Sequence, residues 1–413
     1  MREKTYRIYT PLLMLALMNV IGFGLLAFEN AAEADRIKTG VTALLFMLLL
    51  IVSYLLIRAL HMGDGYLFLP VTALMSIGLM MLTRIDPSYG ERQMLWFVVS
   101  VGVFFVSYFM YRAVKIKNKL FWLYAGASVA LFTATLLFGR TIHGAKNWIY
   151  FGNQGFQPSE LIRILYVLAL SCLFGTGDGK LLSGSDTKKS MLITAYVYIN
   201  LGFLVLQREW GIAVLFFIIY MAMYFVFGKK MSFLVINAAI AALGGYVGYK
   251  VLFHIQTRVK MWVDPFSDPT GRGYQIVQSL IAIASGGFTG VGLANGSPEY
   301  VPFVESDFIF SAVCEEFGIL GGIGVILLFF IMVYRGFKIA LAAKSSFDKR
   351  TAFGLSVMFG FQTFIILGGV VKLIPLTGIT LPFISYGGSS LVTSFMALGI
   401  LQAISVGEGD DIE

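Results

Sequence analysis

Apolar residues in this chain come in long blocks rather than alternating stripes. Blocks near residues 10–28, 40–61, 66–83, 92–111, 120–138, 158–176, 190–206, 209–227, 232–255, 307–334, 350–372 and 385–405 each approach the roughly 20 residues that carry a helix across a bilayer. The pattern predicts about twelve spans and an all-α, polytopic membrane fold, because closed helices satisfy their own backbone in lipid. Read as one helix, residues 190–227 would measure roughly 57 Å against a hydrocarbon core of about 30 Å. The chain is therefore expected to turn at Gln207, Arg208 and Glu209. The first block is too long for the apolar stretch of a signal peptide and lacks a small-residue cleavage site, so it reads as a retained anchor.

One connection is long. Residues 256–306 separate the ninth and tenth blocks, and long loops in compact proteins usually carry function or helices of their own. Within it Ile276, Val277, Leu280, Ile281, Ile283 and Ala284 recur at helical spacing opposite Gln275, Gln278 and Ser279. That spacing predicts an amphipathic helix at the membrane interface.

Composition agrees with the blocks. The chain of 413 residues is 58% hydrophobic and 13% charged, with a mean hydropathy of +0.81, against roughly a quarter charged in soluble domains. A water-soluble globule is excluded. Cys172 and Cys314 lie inside apolar blocks, and His61, His143 and His254 show no ligand spacing, so neither a disulfide framework nor a metal site is expected. The net charge of +8 is a topology signal rather than a sign of nucleic-acid binding. With both termini inside, roughly 18 of the 31 basic residues fall on the cytoplasmic side, including Arg112 to Lys119 and Arg335 to Arg350.

Ionisable residues at membrane depth are costly and so are candidates for function. The richest string, RVKMWVDPFSDPTGRGYQ, holds Arg258, Lys260, Asp264, Asp268 and Arg272. The two Asp-Pro pairs are also good turn chemistry. A carboxylate among such cations could take a proton from a substrate hydroxyl while the cations hold a phosphorylated leaving group. In ESDFIFSAVCEEFG, Ser306 is expected to cap a helix beginning at Asp307, which would place Asp307, Ser311 and Glu315 on one face. GAKNWIYFGNQGFQPSE supplies Lys146 and Glu160, with Arg163 one turn further on and able to pair with Glu160. ISYGGSS places Ser389 at the start of the last span, where free amides could bind a phosphate. GTGDGK, residues 175–180, fails as a phosphate-binding loop: it is one residue short, and Leu181 stands where Ser or Thr is required.

Four strings in order, GAKNWIYFGNQGFQPSE, DPFSDPTGRGYQIVQSLIAIASGGFTGVGL, SDFIFSAVCEEFG and IPLTGITLPFISYGGSS, together resemble the SEDS family, the FtsW/RodA/SpoVE group. The resemblance covers residues 66–405. It implies a ten-helix core, with residues 1–65 an added pair of transmembrane helices and residues 406–413 an acidic cytoplasmic tail. It further implies a peptidoglycan glycosyltransferase in the bacterial cytoplasmic membrane that polymerises lipid II at the outer face, beside a class B penicillin-binding protein. On this resemblance Asp268 is the catalytic carboxylate. Arg258, with Lys260 or Arg272, stabilises the undecaprenyl pyrophosphate that leaves, and Lys146, Glu160, Arg163, Asp307, Glu315 and Ser389 join the substrate site. Whether a divalent cation, Mg2+ or Mn2+, assists is left open.

The chain departs from the family's pattern at four places: Arg163 for Lys, Glu209 in a segment that usually holds Asp, Phe303 for Glu, and Ile366 near a usual Asn. Two other readings compete with the polymerase: a flippase for a lipid-linked precursor, and a catalytically silent scaffold for a crosslinking partner. Many transporters are built from inverted repeats. None is evident here.

Overall fold

The computed structural model describes residues 2–29, 32–142, 144–152, 154–175 and 185–408. His143, Lys180, all of the GTGDGK string after Gly175 and the acidic residues from 410 onward lie outside them. The described residues form fourteen helices. The first nine are α1 (Arg2–Glu29), α2 (Glu33–Ala59), α3 (Phe68–Ile85), α4 (Pro87–Ala113), α5 (Phe121–Phe138), α6 (Pro158–Leu173), α7 (Asp186–Gln207), α8 (Trp210–Phe227) and α9 (Met231–Val251). They are followed by α10 (Phe253–Val263), α11 (Tyr274–Gly286), α12 (Ile309–Ala342), α13 (Ser346–Val370) and α14 (Gly388–Ser405). Eleven are long and apolar enough to cross a membrane, so the chain is a multi-pass membrane protein. Of the twelve expected spans, α6 falls short: its 16 residues reach about 24 Å against a core of about 30 Å. It is nonetheless buried along most of its length.

The helices sort by burial. α13 and α14 are enclosed along most of their length, and α14 lies along α4. The close approach is possible because Gly399 faces the Phe104 carbonyl with no room for a side chain. Rings fill the space beside that contact, with Phe68 5.3 Å from Phe104, and Phe395 5.5 Å from both Phe97 and Phe383. Buried hydroxyls in these helices close on their own preceding turns, as Ser76 does on Thr72 and Ser100 on Trp96, which keeps polar groups satisfied in lipid. α1 packs on α3, and α2 on α4; Asn19 of α1 donates to Ser76 at 2.9 Å. α9 is the opposite case, with Asn237 its one buried residue.

Several expectations need correction. The all-α class stands, but three short strands, β1 (Arg140–Ile142), β2 (Ala145–Phe151) and β3 (Gln154–Phe156), add a small antiparallel sheet that was not expected. The ninth block ends at Val251, and Arg258 and Lys260 ride on the separate helix α10 rather than on loop. Ser306 does not cap the next helix: α12 starts at Ile309, and the Ser306 hydroxyl turns back to the Phe303 carbonyl. The amphipathic helix exists as α11, with Ile276 and Val277 buried as expected, but the rest of its buried stripe is rotated. Ser279, Ala282 and Gly286 are buried while Ile281 and Ala284 are exposed, because α11 packs against α12.

That packing exploits a break. α12 loses helical geometry at Gly318 (φ 67°, ψ −171°). The carbonyls of Glu315 and Glu316 accept the amides of Val291 and Gly292, both at 3.0 Å, while Ile319 and Leu320 donate to Gly287 and Phe288. The segment after α11 thus replaces the hydrogen bonds that the break removes. Glycine is required where backbones touch: a Cβ on Gly290 would strike the Glu316 carbonyl, and one on Gly318 the Gly290 amide.

Candidate functional site

Three segments converge at the end of the bundle that carries the sheet: α10, the stretch 303–308 before α12, and the extended stretch 371–387 between α13 and α14. One guanidinium nitrogen of Arg258 donates to the carbonyls of Leu376 and Thr377, each at 3.1 Å. The Asp307 carboxylate and the Arg258 guanidinium flank Gly378, which takes positive φ. Arg258 is solvent-exposed as a residue, yet the surrounding protein desolvates its head group and lowers its pKa, and Asp307 opposes that shift. Trp262 on the same helix donates to the Lys372 carbonyl at 3.1 Å. His254 lies 5.6 Å, ring to ring, from Trp210. Its pKa is lowered by burial first and then by Arg258 and Arg208, so this rim is cationic. The extended stretch is itself fastened, since Ser385 donates to the Ser306 carbonyl and Tyr386 to the Glu305 carbonyl.

Behind the rim runs a buried polar chain. Glu160 and Arg163, one turn apart on α6, form an ion pair, and Arg163 also donates to Gln362 of α13 at 2.7 Å. Gln362 donates to the Thr380 carbonyl at 2.9 Å, and the Thr380 hydroxyl meets that of Ser390 at 2.8 Å. Thr393 of α14 donates to Glu160. Glu209, at the turn between α7 and α8, accepts from Gln157 at 2.7 Å and Ser159 at 3.1 Å. Burial raises the Glu209 pKa; the hydrogen bonds from Asn147, Gln157 and Ser159, and the charge of Arg163, pull against it. The stretch 376–380 touches both groupings, through Thr377 to Arg258 and through Thr380 to Gln362.

Asp268 stands apart from both. It lies in the turn between α10 and α11, half-buried, where one carboxylate oxygen accepts the Arg272 amide at 3.0 Å and its carbonyl accepts the amides of Gly271 and Gly273. The tight fit over Gly271 leaves no space for a Cβ there. Arg272 sets its guanidinium 5.1 Å from the Phe253 ring, against the start of α10. Lys260 is exposed on α10. A carboxylate fixed by main chain, in the turn after a helix that carries two cations, is suited to accept a proton beside an anionic leaving group.

A family model described as "Cell cycle protein", FtsW/RodA/SpoVE, matches residues 65–409. The chain belongs to this family. Among its relatives, "Peptidoglycan glycosyltransferase RodA" of Mycobacterium tuberculosis is 34% identical over 96% of this chain and 90% of its own. "Stage V sporulation protein E" of Bacillus subtilis is 31% identical over 83% of this chain and 96% of its own. Among solved structures, a chain of a complex described as structural coordination of polymerization and crosslinking by a peptidoglycan synthase complex aligns with a TM-score of 0.69. It is 28% identical over 83% of this chain and 97% of that one. RodA of Thermus thermophilus aligns with a TM-score of 0.62 at 27% identity, covering 84% and 98%.

Within this FtsW/RodA/SpoVE member the expected site residues separate. Arg258 and Asp307 are brought together, and Asp268, Arg272 and Lys260 share the α10–α11 corner. Glu160 and Arg163 pair with each other, and Ser389 reaches the same buried chain by accepting the Gln157 amide at 3.3 Å. Two residues are used elsewhere. Lys146 on β2 donates to the Leu136 carbonyl in the last turn of α5 at 2.5 Å, and Glu315 accepts the Ser297 amide at 3.0 Å. Neither joins the two groupings. The neighbouring Glu316 pairs instead with Arg84 at 3.1 Å, and Arg84 also holds the carbonyls of Ala294 and Gly296.

Two departures find a physical setting. Arg163 uses the fork of its guanidinium to serve Glu160 and Gln362 together, which a single ammonium does less well. Glu209 is engaged by the side chains of Asn147, Gln157 and Ser159. Ile366 is plain core, and Phe303 is exposed at positive φ with its carbonyl accepting the amides of Asp307 and Phe308. Gln362 and Thr380 were missed from sequence; a glutamine in the middle of the apolar run FGFQTFII was the available signal. Among the described residues no group of three His, Cys, Asp or Glu side chains gathers as a metal site would require.

Proposed function

We propose that this chain is a peptidoglycan glycosyltransferase that polymerises lipid II at the outer face of the bacterial cytoplasmic membrane. The observation that carries the reading is Asp268, its carboxylate held by the Arg272 amide in the turn that follows α10, the helix bearing Arg258 and Lys260. In the reaction the 4-hydroxyl of the acceptor sugar attacks the anomeric carbon of the donor, and Asp268 takes the hydroxyl proton. A carbon–oxygen bond forms as the bond from that carbon to the diphosphate oxygen breaks, and the electron pair leaves with undecaprenyl pyrophosphate. Arg258 and Lys260, with Arg272 beside them, stabilise the charge that develops. The buried chain from Glu209 to Gln362 positions the stretch 376–380 against which Arg258 is held.

The Lys/Arg bias supports an orientation with both termini in the cytoplasm and the sheet, α10 and α11 outside. A class B penicillin-binding protein is the partner that fits, because the similar solved chain comes from a complex coordinating polymerization and crosslinking. The test is polymerisation of purified lipid II by the parent and by Asp268→Ala, each with that partner. Polymer from the parent alone is expected. Absence of polymer from both, in a verified complex, would turn the reading to a scaffold, and protein-dependent movement of lipid II between leaflets would turn it to a flippase. Repeating the assay in EDTA reads whether Mg2+ or Mn2+ joins the cations at the diphosphate.

A further inference from the structure

At the end of the bundle opposite the site, a cavity of about 260 Å3 opens between the ends of α4, α12, α13 and α14. Its wall includes three cations from three separate segments: Arg112 in the last turn of α4, Lys117 in the 3-10 turn Lys117–Lys119, and Lys344 between α12 and α13. Asp348 is the carboxylate on that wall, and it is already engaged by the Tyr111 hydroxyl at 2.6 Å and the Lys117 ammonium at 3.2 Å. Three cations less one carboxylate leave the wall with two positive charges in excess. Lys117 is fixed in place, its ammonium 3.5 Å from the centre of the Tyr111 ring. Burial lowers its pKa, with Asp348 opposing, so the charged form is under-compensated. Arg112 gives one N–H to the Tyr108 hydroxyl at 3.0 Å and has further donors to offer.

A Lys/Arg excess alone orients the chain and needs no cavity. Here the cations meet on one concave wall at the membrane edge, the arrangement in which basic pockets between transmembrane helices hold lipid headgroups. We propose that this cavity binds a phosphate group, supplied in the membrane by the headgroup of an anionic phospholipid of the cytoplasmic leaflet. Planar, multi-donor Arg112 and the point charges of Lys117 and Lys344 match the oxygens of a phosphate better than a carboxylate of similar charge. The site lies at the far end of the molecule from Asp268, so it concerns anchoring to the leaflet and not the glycosyl transfer.

The experiment is native mass spectrometry of the full chain in a neutral detergent, titrated with short-chain phosphatidylglycerol, short-chain phosphatidylcholine or inorganic phosphate. One saturable phosphatidylglycerol is expected, with no matching phosphatidylcholine. Lys117→Gln with Lys344→Gln should weaken it about 30-fold, from roughly fivefold per cation at a membrane surface. Lys344→Glu alone leaves the Lys117–Asp348 pair and should also weaken binding, which separates the site from any folding defect. Lys229→Gln with Lys230→Gln removes the same charge from the same end, outside the cavity, and should leave affinity unchanged. Displacement of the lipid by inorganic phosphate supports the shared phosphate chemistry and assigns the source to whichever binds tighter. Equal loss in the control pair, equal binding of phosphatidylcholine, or binding seen only after removal of residues 408–413 would overturn the proposal. None of these readouts depends on glycan polymerisation.

Discussion

Glu160 and Asp268 are both carboxylates with an arginine close by in sequence, yet their settings differ in solvation. Glu160 is enclosed, paired with Arg163 and bonded by Thr393. Asp268 is half-buried and takes one fixing bond, from a main-chain amide, while the Arg272 side chain turns away to Phe253. A charge that is buried and fully partnered has its proton state tied to the fold, and removing either partner strands the other. A carboxylate held by backbone alone keeps capacity for a substrate. The difference teaches that an ionisable residue in such a protein is assigned by its partners, not by its depth alone.

The sharpest way to break this contrast is Asp268→Ala, which should lower lipid II polymerisation by about 100- to 10,000-fold, the range of a general base. Its thermal midpoint in detergent should stay within the scatter of surface substitutions. A large loss of stability would place Asp268 with Glu160. Glu160→Ala should do the reverse, costing about 3–5 kcal/mol by stranding Arg163 and reducing the yield of folded protein, read by unfolding of the purified chain. Arg163→Lys, made alone, keeps a cation beside Glu160 and should cost much less stability than Glu160→Ala.

Arg258 tests the boundary between the two settings. Arg258→Lys retains a cation but gives up the shared grip on the carbonyls of Leu376 and Thr377, so kcat should fall by less than the roughly 100- to 1,000-fold that complete removal of a charge-stabilising donor costs, with little change in folding. If unfolding shifts and kcat does not, Arg258 belongs to the scaffold of the 376–380 stretch.

Glu209 gives the smallest effect and carries a sign. Its folded pKa is raised by burial, so the folded chain holds its proton to a higher pH than the unfolded chain does. Stability from this group is greatest below the ordinary carboxylate range and is lost as pH rises through the folded pKa. Glu209→Gln has no such slope. The stability of the variant relative to the parent should therefore improve as pH is raised, in unfolding scans from acid to neutral pH; an opposite trend would mean that Arg163 and the three hydrogen bonds outweigh burial.

Much of the fold was legible because lipid imposes a length on every span, and the turn at Gln207 to Glu209 followed from that length alone. α6 escaped the rule because protein surrounds it, so 16 residues suffice. The sheet at 140–156 and the start of α12 were hidden for another reason. The strands are only three to seven residues long and pair with their neighbours in sequence, too short for an alternating pattern to stand out, while the entry to α12 is set by a contact with a distant segment, Ser385 with Ser306, which local patterns do not contain. The family strings marked the right neighbourhood, and the Glu160–Arg163 pairing was readable from one helical turn. The sequence could not say that Glu315 is committed to the Ser297 amide and Lys146 to the Leu136 carbonyl, because main-chain donors and acceptors carry no residue type.

The break in α12 at Gly318 has a mechanical consequence. A continuous helix receives a push at its ends, whereas here the segment after α11 is spliced into the rod part-way along, through main-chain bonds to Glu315, Glu316, Ile319 and Leu320. A load on α11, which follows Asp268 in the chain, is thus delivered at the joint as a turning force on the two arms of α12. The far arm ends beside Lys344. One rod therefore offers a lever between the corner of Asp268 and the opposite membrane surface, with its pivot specified by glycines rather than by side chains.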